Sequence, residues 1–258
     1  MADRVNLNSD VGESYGRWQL GSDAEMMKWI PTVNVACGFH AGDPHVMRRT
    51  VELAAAAGAE VGAHVALPDV RGFGRRRMAI GADELHDDVV YQIGALLGFA
   101  RAAGVALTHV KPHGALYAMC GESPELAEAL LSAMRAVDAA LVAIAGGPAV
   151  PAAAARTGVR AVPEGYVDLA YHPSGVPVLE RAKRAWDPRE VAANAVRVVR
   201  ERRLPAVDGS TITVDVPTLC IHGDAPNGAD VARAVRERLA AEGIEVVPLR
   251  RLLEEPGR

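Results

Sequence analysis

Short β-branched runs alternate with longer segments rich in Ala, Leu and Arg that carry a helical period, and this alternation continues almost from one end of the chain to the other. A strand, then a helix, then another strand is the pattern of a βα unit. Repetition of that unit favours a parallel sheet, because parallel neighbours can be joined only by a crossover of a dozen or more residues. The periodicity predicts strands near residues 4–8, 33–37, 60–65, 107–111, 141–145, 160–163 and 218–222, with a weaker one at 245–247. Helices are expected at about residues 23–29, 44–57, 83–103, 124–140, 148–156, 188–202 and 228–241, several of them opening on proline in the first turn. The chain of 258 residues suits one α/β barrel domain spanning 1–258, a fold that commonly needs roughly 250 residues. Seven or eight parallel strands are expected. Aromatic residues make up only 4%, so the core must be built from Ala, Val and Leu.

Two segments break the alternation. Residues 67–80 are rich in Gly and Arg, and residues 171–186 have no clear period; both are expected to be long loops over one face, where function usually sits. Asp208-Gly209 ahead of Ser210-Thr211-Ile212-Thr213-Val214 predicts a small hairpin over residues 207–214.

Several function classes lose support from composition. The formal net charge is -4, with 28 basic residues spread among 32 acidic ones, so neither nucleic acid nor an acidic membrane surface is expected as a partner. No run of about 18 apolar residues exists, and the N-terminus lacks the blocks of a signal peptide. Cys37, Cys120 and Cys220 lie far apart and form no CxxC pair, so a reducing cytoplasm is the expected setting. There is no GxxxxGK[ST] loop, no GxGxxG after the first strand and no GxSxG elbow, which argues against P-loop, dinucleotide and α/β-hydrolase chemistry.

The polar residues fall where the predicted strands end. The first strand runs into Asn8, Asp10 and Glu13, the second into His40 and Asp43, and the third into His64 and Asp69. The fourth leads to Lys111 and His113, the sixth to Glu164 and Asp168, and the seventh to His222 and Asp224. In a parallel barrel these strand ends share one face, so such residues are expected to converge at a catalytic mouth. Asp43 before Pro44, and Asp224 or Asn227 before the last helix, suit helix N-caps equally well. His45 and His86 lie on predicted helices and are expected to be solvated. His40, His64, His113 and His222 each follow a different strand and are candidates for proton transfer.

Lys111 closes a buried strand, where an ammonium is costly unless an anion meets it. That anion is either substrate or phosphate, or an internal partner such as Glu164 or Asp10. Gly72-Phe73-Gly74-Arg75-Arg76-Arg77 sets glycine flexibility beside three guanidinium groups, which suits closure over a carboxylate or phosphate, as it also suits a solvated face. Asp10, His40 and His64 are candidate ligands for a divalent cation, but no HExxH or closely paired His motif demands one.

The motifs themselves resemble those of the LamB/YcsF family. Leu7-Asn8-Ser9-Asp10-Val11-Gly12-Glu13 is similar to its LNxDxGE opening, and Asn34-Val35-Ala36-Cys37-Gly38-Phe39-His40-Ala41-Gly42-Asp43-Pro44 to its NxACGxHAGDP signature. Val61-Gly62-Ala63-His64, Gly72-Phe73-Gly74-Arg75-Arg76, His109-Val110-Lys111-Pro112-His113-Gly114-Ala115-Leu116-Tyr117 and Cys220-Ile221-His222-Gly223-Asp224 continue the pattern in order. The resemblance implies a seven-stranded, irregular α/β barrel of the glycoside hydrolase/deacetylase group. It also implies action as the A subunit of a prokaryotic 5-oxoprolinase, which opens 5-oxo-L-proline to L-glutamate with hydrolysis of ATP, carried with Mg, together with two further subunits of B and C type. No firm protein-bound metal is implied.

On that basis Lys111 and Arg75 are expected to meet anionic oxygens, and Asp10, Glu13 and Asp224 to orient water or the metal-nucleotide complex. Asn8, Asp43, Glu164 and Asp168 join the expected substrate or phosphate contacts. Three departures from the family pattern bear on substrate or partner contacts: Ser9 stands where cysteine is usual, Leu169 replaces an arginine, and residues 180–186 replace an SRxxPGA-like stretch. Two other functions fit the same residues: a metal-dependent amide hydrolase acting on a sugar derivative, and a non-catalytic subunit that binds a small carboxylate.

Overall fold

The computed structural model describes residues 3–178 and 184–254. In chain order its elements are β1 (Arg4–Val11), α1 (Asp23–Met26), β2 (Thr32–Ala36), α2 (Pro44–Ala57), β3 (Glu60–Val65), α3 (Ala82–Ala102), β4 (Leu107–Pro112), α4 (Gly114–Glu122), α5 (Pro124–Val137), β5 (Val142–Ile144) and α6 (Val150–Thr157). There follow β6 (Ala161–Val162), β7 (Glu164–Tyr166), α7 (Pro188–Glu201), β8 (Arg203–Pro205), β9 (Thr211–Thr213), β10 (Thr218–Cys220), α8 (Gly228–Ala241), β11 (Glu245–Val246) and α9 (Leu249–Glu254). This is the expected α/β fold of the barrel class.

Apart from the β8–β9 hairpin, nine strands form among the described residues, where seven or eight were expected. One addition arises because the stretch read as a single strand at 160–163 is followed at once by a second, β7, which takes a different partner. The weaker strand expected at 245–247 is present as β11, which pairs with β1 through only two residues. The hairpin is present, with its strands shifted outward to 203–205 and 211–213 and Asp208-Gly209 in the turn. Helix α4 was not expected because only His113, which makes no side-chain cap bond, separates it from β4 and marks its start.

Residues divide into two compact units. One comprises residues 10–20 and 33–163. Its strands run parallel in the order β6-β5-β4-β3, with His64 in register with Lys111. Helix α3 turns Leu85, Val89, Ile93, Leu96 and Ala100 inward, a spacing of three and four residues that keeps them on one face. Gln92 lies on the same buried face, and its amide accepts from Ala66 N at 2.8 Å and donates to Ala66 O at 3.0 Å. Those two bonds satisfy the backbone just beyond β3 and so hold the strand end that carries His64. Helix α2 starts on Asp43, whose carboxylate accepts from the His45 and Val46 amides, and stops at Gly58 in the left-handed conformation.

The other unit comprises residues 3–9, 21–32, 164–178 and 184–254. Here β1 is flanked by β10 and β11, and β10 in turn pairs with β7, all in parallel. Asn6, Asn8, Thr32 and Thr218 are fully buried and bond one another: Asn6 Nδ2 donates to Thr32 Oγ1 at 2.8 Å, Thr218 Oγ1 to Asn6 Oδ1 at 2.6 Å, and Asn8 Nδ2 to Thr218 Oγ1 at 2.8 Å. A buried polar network of this kind is stable only when its members satisfy each other, and that requirement fixes the register of the strands that bear them.

Candidate functional site

In the unit built on β3 and β4, the strand ends gather Asp10, Glu13, His40, His64, Lys111 and His113, all buried. Side chains two apart on a strand share a face, so His109 and Lys111 on β4 point the same way. Gly62 sits in register with His109, and a Cβ there would come within 2.2 Å of the imidazole, so only glycine leaves room for the ring. From that ring a chain of hydrogen bonds leads to the carboxylate: His109 Nε2 to Asn34 Oδ1 at 2.8 Å, then Asn34 Nδ2 to Asp10 Oδ1 at 2.8 Å. Neither Asn34 nor His109 is a candidate by sequence position at a strand end. A signal exists all the same, because each falls mid-strand in a family motif, where a polar side chain needs a buried partner.

The anion that meets Lys111 is Asp10, whose Oδ1 accepts from Nζ at 3.0 Å. Asp10 is one of the two internal carboxylates expected as alternatives. Beside this pair stand three imidazoles and one further carboxylate. His40 Nε2 lies 2.9 Å from Glu13 Oε1, His113 Nδ1 3.4 Å from the same oxygen, and His64 Nε2 3.9 Å from it. His64 Nε2 is also 2.9 Å from His113 Nδ1 and 3.3 Å from Asp10 Oδ2. The His40 and His113 rings stack with centroids 3.9 Å apart, and His64 meets both edge-on.

The outer nitrogens fix two of these rings. His64 Nδ1 lies 2.9 Å from the carbonyl oxygen of Lys111, and His113 Nε2 lies 2.9 Å from that of Phe73. Burial opposes charge on all three imidazoles. For His64 the neighbouring Asp10 carboxylate outweighs burial and raises the pKa above the ordinary histidine value. His40 is lowered by burial despite its contact with Glu13. His113 is lowered well below the usual range, by burial and then by the neighbouring His40 and His64. One imidazole that charges readily beside two that resist it can divide acid and base duties at neutral pH.

The glycine-rich loop packs against this cluster. Gly74 has φ of +62°, and a Cβ there would sit 2.8 Å from His113 Cδ2 and 2.9 Å from His40 Cβ. The glycine serves close approach as well as turn geometry. Arg76 is bonded to Asp69, whose carboxylate also accepts from Gly72 N, and Arg77 pairs with Glu122 at the surface. The Arg76 guanidinium holds the Asp69 carboxyl below its usual range. Arg75 lies with its guanidinium 5.0 Å from the centroid of the Phe73 ring, next to the histidines. Asp43 caps α2 and its Oδ2 accepts from Gly16 N at 2.6 Å; this backbone contact comes first among the causes that lower its pKa.

The other unit carries the remaining candidates. Asp168 is buried and its carboxylate accepts from His222 N at 2.8 Å and lies 2.9 Å from His222 Nδ1. The His222 ring stacks on Tyr166, whose hydroxyl donates to Glu164 Oε1 at 2.9 Å. Asn8 belongs to the strand-spanning network and reaches Glu164 Oε2 at 3.4 Å. Asp224 is half-buried. Leu169, where the family pattern has arginine, is buried, and Ser9 is fully buried. Of residues 180–186, positions 180–183 lie outside the described residues. His45 is exposed and His86 half-exposed, as expected of helix faces. Cys37, Cys120 and Cys220 are buried thiols, and among the described residues no helix is long and apolar enough to cross a membrane.

The family model described as "LamB/YcsF family" matches residues 5–254. A protein of Methylococcus capsulatus that is named as the A subunit of 5-oxoprolinase is 47% identical over 252 residues, covering 96% of this chain and 97% of that protein. Its namesake in Pyrococcus furiosus is 43% identical over 249 residues, covering 95% and 98%. Among solved structures, the lactam utilization protein from Thermus thermophilus superposes with a TM-score of 0.86 at 43% identity, covering 94% of this chain and 98% of that one. A putative cellobiose-phosphate cleavage protein from Enterococcus faecalis shares the fold alone, with a TM-score of 0.56 at 12% identity over 98% of this chain and 99% of that one.

Proposed function

Since the chain belongs to the LamB/YcsF family, we propose that it acts as the A subunit of an ATP-dependent 5-oxoprolinase, opening 5-oxo-L-proline to L-glutamate. The observation that carries this reading is the likeness, over nearly their whole length, to proteins that bear the name of this 5-oxoprolinase component, with the shared motifs supplying the buried cluster. The Thermus relative's printed name, a lactam utilization protein, supports a cyclic amide as substrate.

A lactam is a poor electrophile, and phosphorylation of its carbonyl oxygen by ATP, brought in with Mg2+, makes the ring carbon accept water. Water then adds to that carbon while a neutral imidazole of the cluster, His40 or His113, takes its proton. The carbon–nitrogen bond breaks as the ring nitrogen receives a proton from His64, whose raised pKa suits an acid. A second water releases phosphate from the resulting acyl phosphate, which leaves glutamate, ADP and phosphate. Arg75 supplies a guanidinium for the substrate carboxylate or for phosphate oxygens. Lys111 acts through Asp10, keeping that carboxylate charged beside His64. His222, oriented by Asp168, is a further group able to carry a proton. Partner subunits of B and C type complete the enzyme, in a cytoplasm whose reducing conditions suit three buried thiols.

The test is ATP-dependent release of glutamate from 5-oxo-L-proline, measured with the protein alone and with the two partner subunits. Release in the full mixture and its loss in the His64→Ala variant are expected. A full mixture with no release, or a His64→Ala variant with undiminished turnover, rejects the assignment.

A further inference from the structure

We propose that Glu13 Oε1, His64 Nε2 and His113 Nδ1 form a binding site for a divalent cation of borderline softness, Zn2+ or Co2+, with His40 Nε2 at the fourth corner.

The hydrogen positions on two of the rings point to this. A carbonyl oxygen can only accept, so His64 Nδ1 must carry the proton it gives to Lys111, and His113 Nε2 the proton it gives to Phe73. In the neutral rings the remaining nitrogens, His64 Nε2 and His113 Nδ1, therefore both present lone pairs. They face each other at 2.9 Å, an arrangement that repels unless a positive centre lies between them, either a proton on one nitrogen or a metal ion held by both. A histidine that gives its outer N–H to a backbone carbonyl while its inner nitrogen points at a common centre is the usual second layer of a metal site.

Charge points the same way. Glu13 is only 8% exposed, and among the described residues its ion-pair partners are the three histidines, with no lysine or arginine. A buried carboxylate surrounded by imidazoles needs a compensating cation. Lys111 does not supply it, because its ammonium is bonded to Asp10 Oδ1, which Asn34 also holds.

The spacing also fits. Ligands at about 2.0–2.1 Å from Zn2+ in a tetrahedron stand about 3.3–3.4 Å from one another. Four of the six separations among these atoms are 2.9, 2.9, 3.4 and 3.9 Å, and the ligand atoms of the four residues all lie within 4.8 Å of one another, close enough to share one ion. Three imidazole nitrogens and one carboxylate oxygen are the donors that Zn2+ and Co2+ accept, whereas Mg2+ and Ca2+ prefer oxygen throughout. His40 differs from the other two, since its buried Nδ1 has no hydrogen-bond partner to lock the ring. It is the corner that opens to admit water or a substrate oxygen. Asp10 Oδ2, 3.3 Å from His64 Nε2, is placed to accept a hydrogen bond from such a water.

A bound cation would occupy the His64 and His113 nitrogens that the reaction above gives to proton transfer, so the site is tested by itself, with neither ATP nor partner subunits. Protein stripped with a chelator and dialysed free of it is titrated with Co2+, followed by visible absorption, and with Zn2+ in competition with a chromophoric chelator. A single saturable site per chain with the intense bands of tetrahedral Co2+ is expected. His64→Ala, His113→Ala and Glu13→Gln should each weaken Zn2+ binding by at least about 10–100-fold, while His222→Ala should leave it intact. Should a variant fail to fold, the wild-type protein soaked with Zn2+ decides, through an anomalous scattering peak within bonding distance of Glu13, His64 and His113. No saturable binding by the wild type, binding abolished by His222→Ala alone, or a peak elsewhere overturns the proposal.

Discussion

Replacing Gly74 by alanine tests whether the glycine loop is built to press on the histidines. Two costs arise. The first is conformational: φ is +62°, and an L-residue in that region costs about 1–2 kcal/mol. The second is steric, because the new Cβ would lie 2.8 Å from His113 Cδ2 and 2.9 Å from His40 Cβ. Carbon atoms prefer about 3.5–4.0 Å, and overpacking of this kind costs about 1–3 kcal/mol. Gly58→Ala isolates the first cost, since Gly58 also has positive φ, +67°, but has nothing within 4 Å of the added atom. Stiffening of the unfolded chain by alanine is common to both variants and drops out of the comparison. Both should therefore melt below wild type, with Gly74→Ala lower than Gly58→Ala by about 1–3 kcal/mol, or roughly 2–12 °C at the 2–4 °C per kcal/mol usual for this size. Thermal unfolding followed by circular dichroism reads the difference, and glutamate release in the full mixture reads displacement of the rings. If the two variants melt within a degree of each other and Gly74→Ala keeps wild-type turnover, the close-packing argument is wrong.

Other substitutions probe separate parts of the structure. Gln92→Met keeps the volume but strands the Ala66 N–H and C=O, so a loss of about 2–6 kcal/mol is expected in urea unfolding, at about 1–3 kcal/mol for each buried group left without a partner. Lys111→Met should cost about 3–5 kcal/mol by leaving Asp10 buried without its ammonium, and Lys111→Met combined with Asp10→Leu should cost less than the sum of the single changes in the same assay. Asp43→Ala should lose about 0.5–2 kcal/mol at neutral pH as the α2 cap disappears. Asp43 has a pKa depressed in the folded state below the model-compound value of 3.8, so its contribution is complete above that pH and fades as pH falls through the lower folded value. The stability gap between wild type and Asp43→Ala should accordingly narrow in acid unfolding measured below that point.

The alternation of strands and helices follows from local periodicity, so the class of fold and most helices, α2 and α8 among them, are legible from the chain alone. The strand ends were legible for the same reason, and with them Asp10, Glu13, His40, His64, Lys111 and His113. Helix α4 and the break between β6 and β7 were not, because each depends on which neighbour the backbone finds for its hydrogen bonds. Partners were equally hidden. Sequence leaves Lys111 open to substrate, Glu164 or Asp10, and spacing along the chain does not reveal a contact; packing does, by setting Nζ 3.0 Å from Asp10. It likewise cannot say which nitrogen of His64 or His113 holds a proton. That is decided by the carbonyls of Lys111 and Phe73, which come to lie against the rings only once the chain has folded. The residue types able to do chemistry are thus written in local order, whereas their charge states and pairings are properties of a buried, low-dielectric environment that only tertiary contact creates.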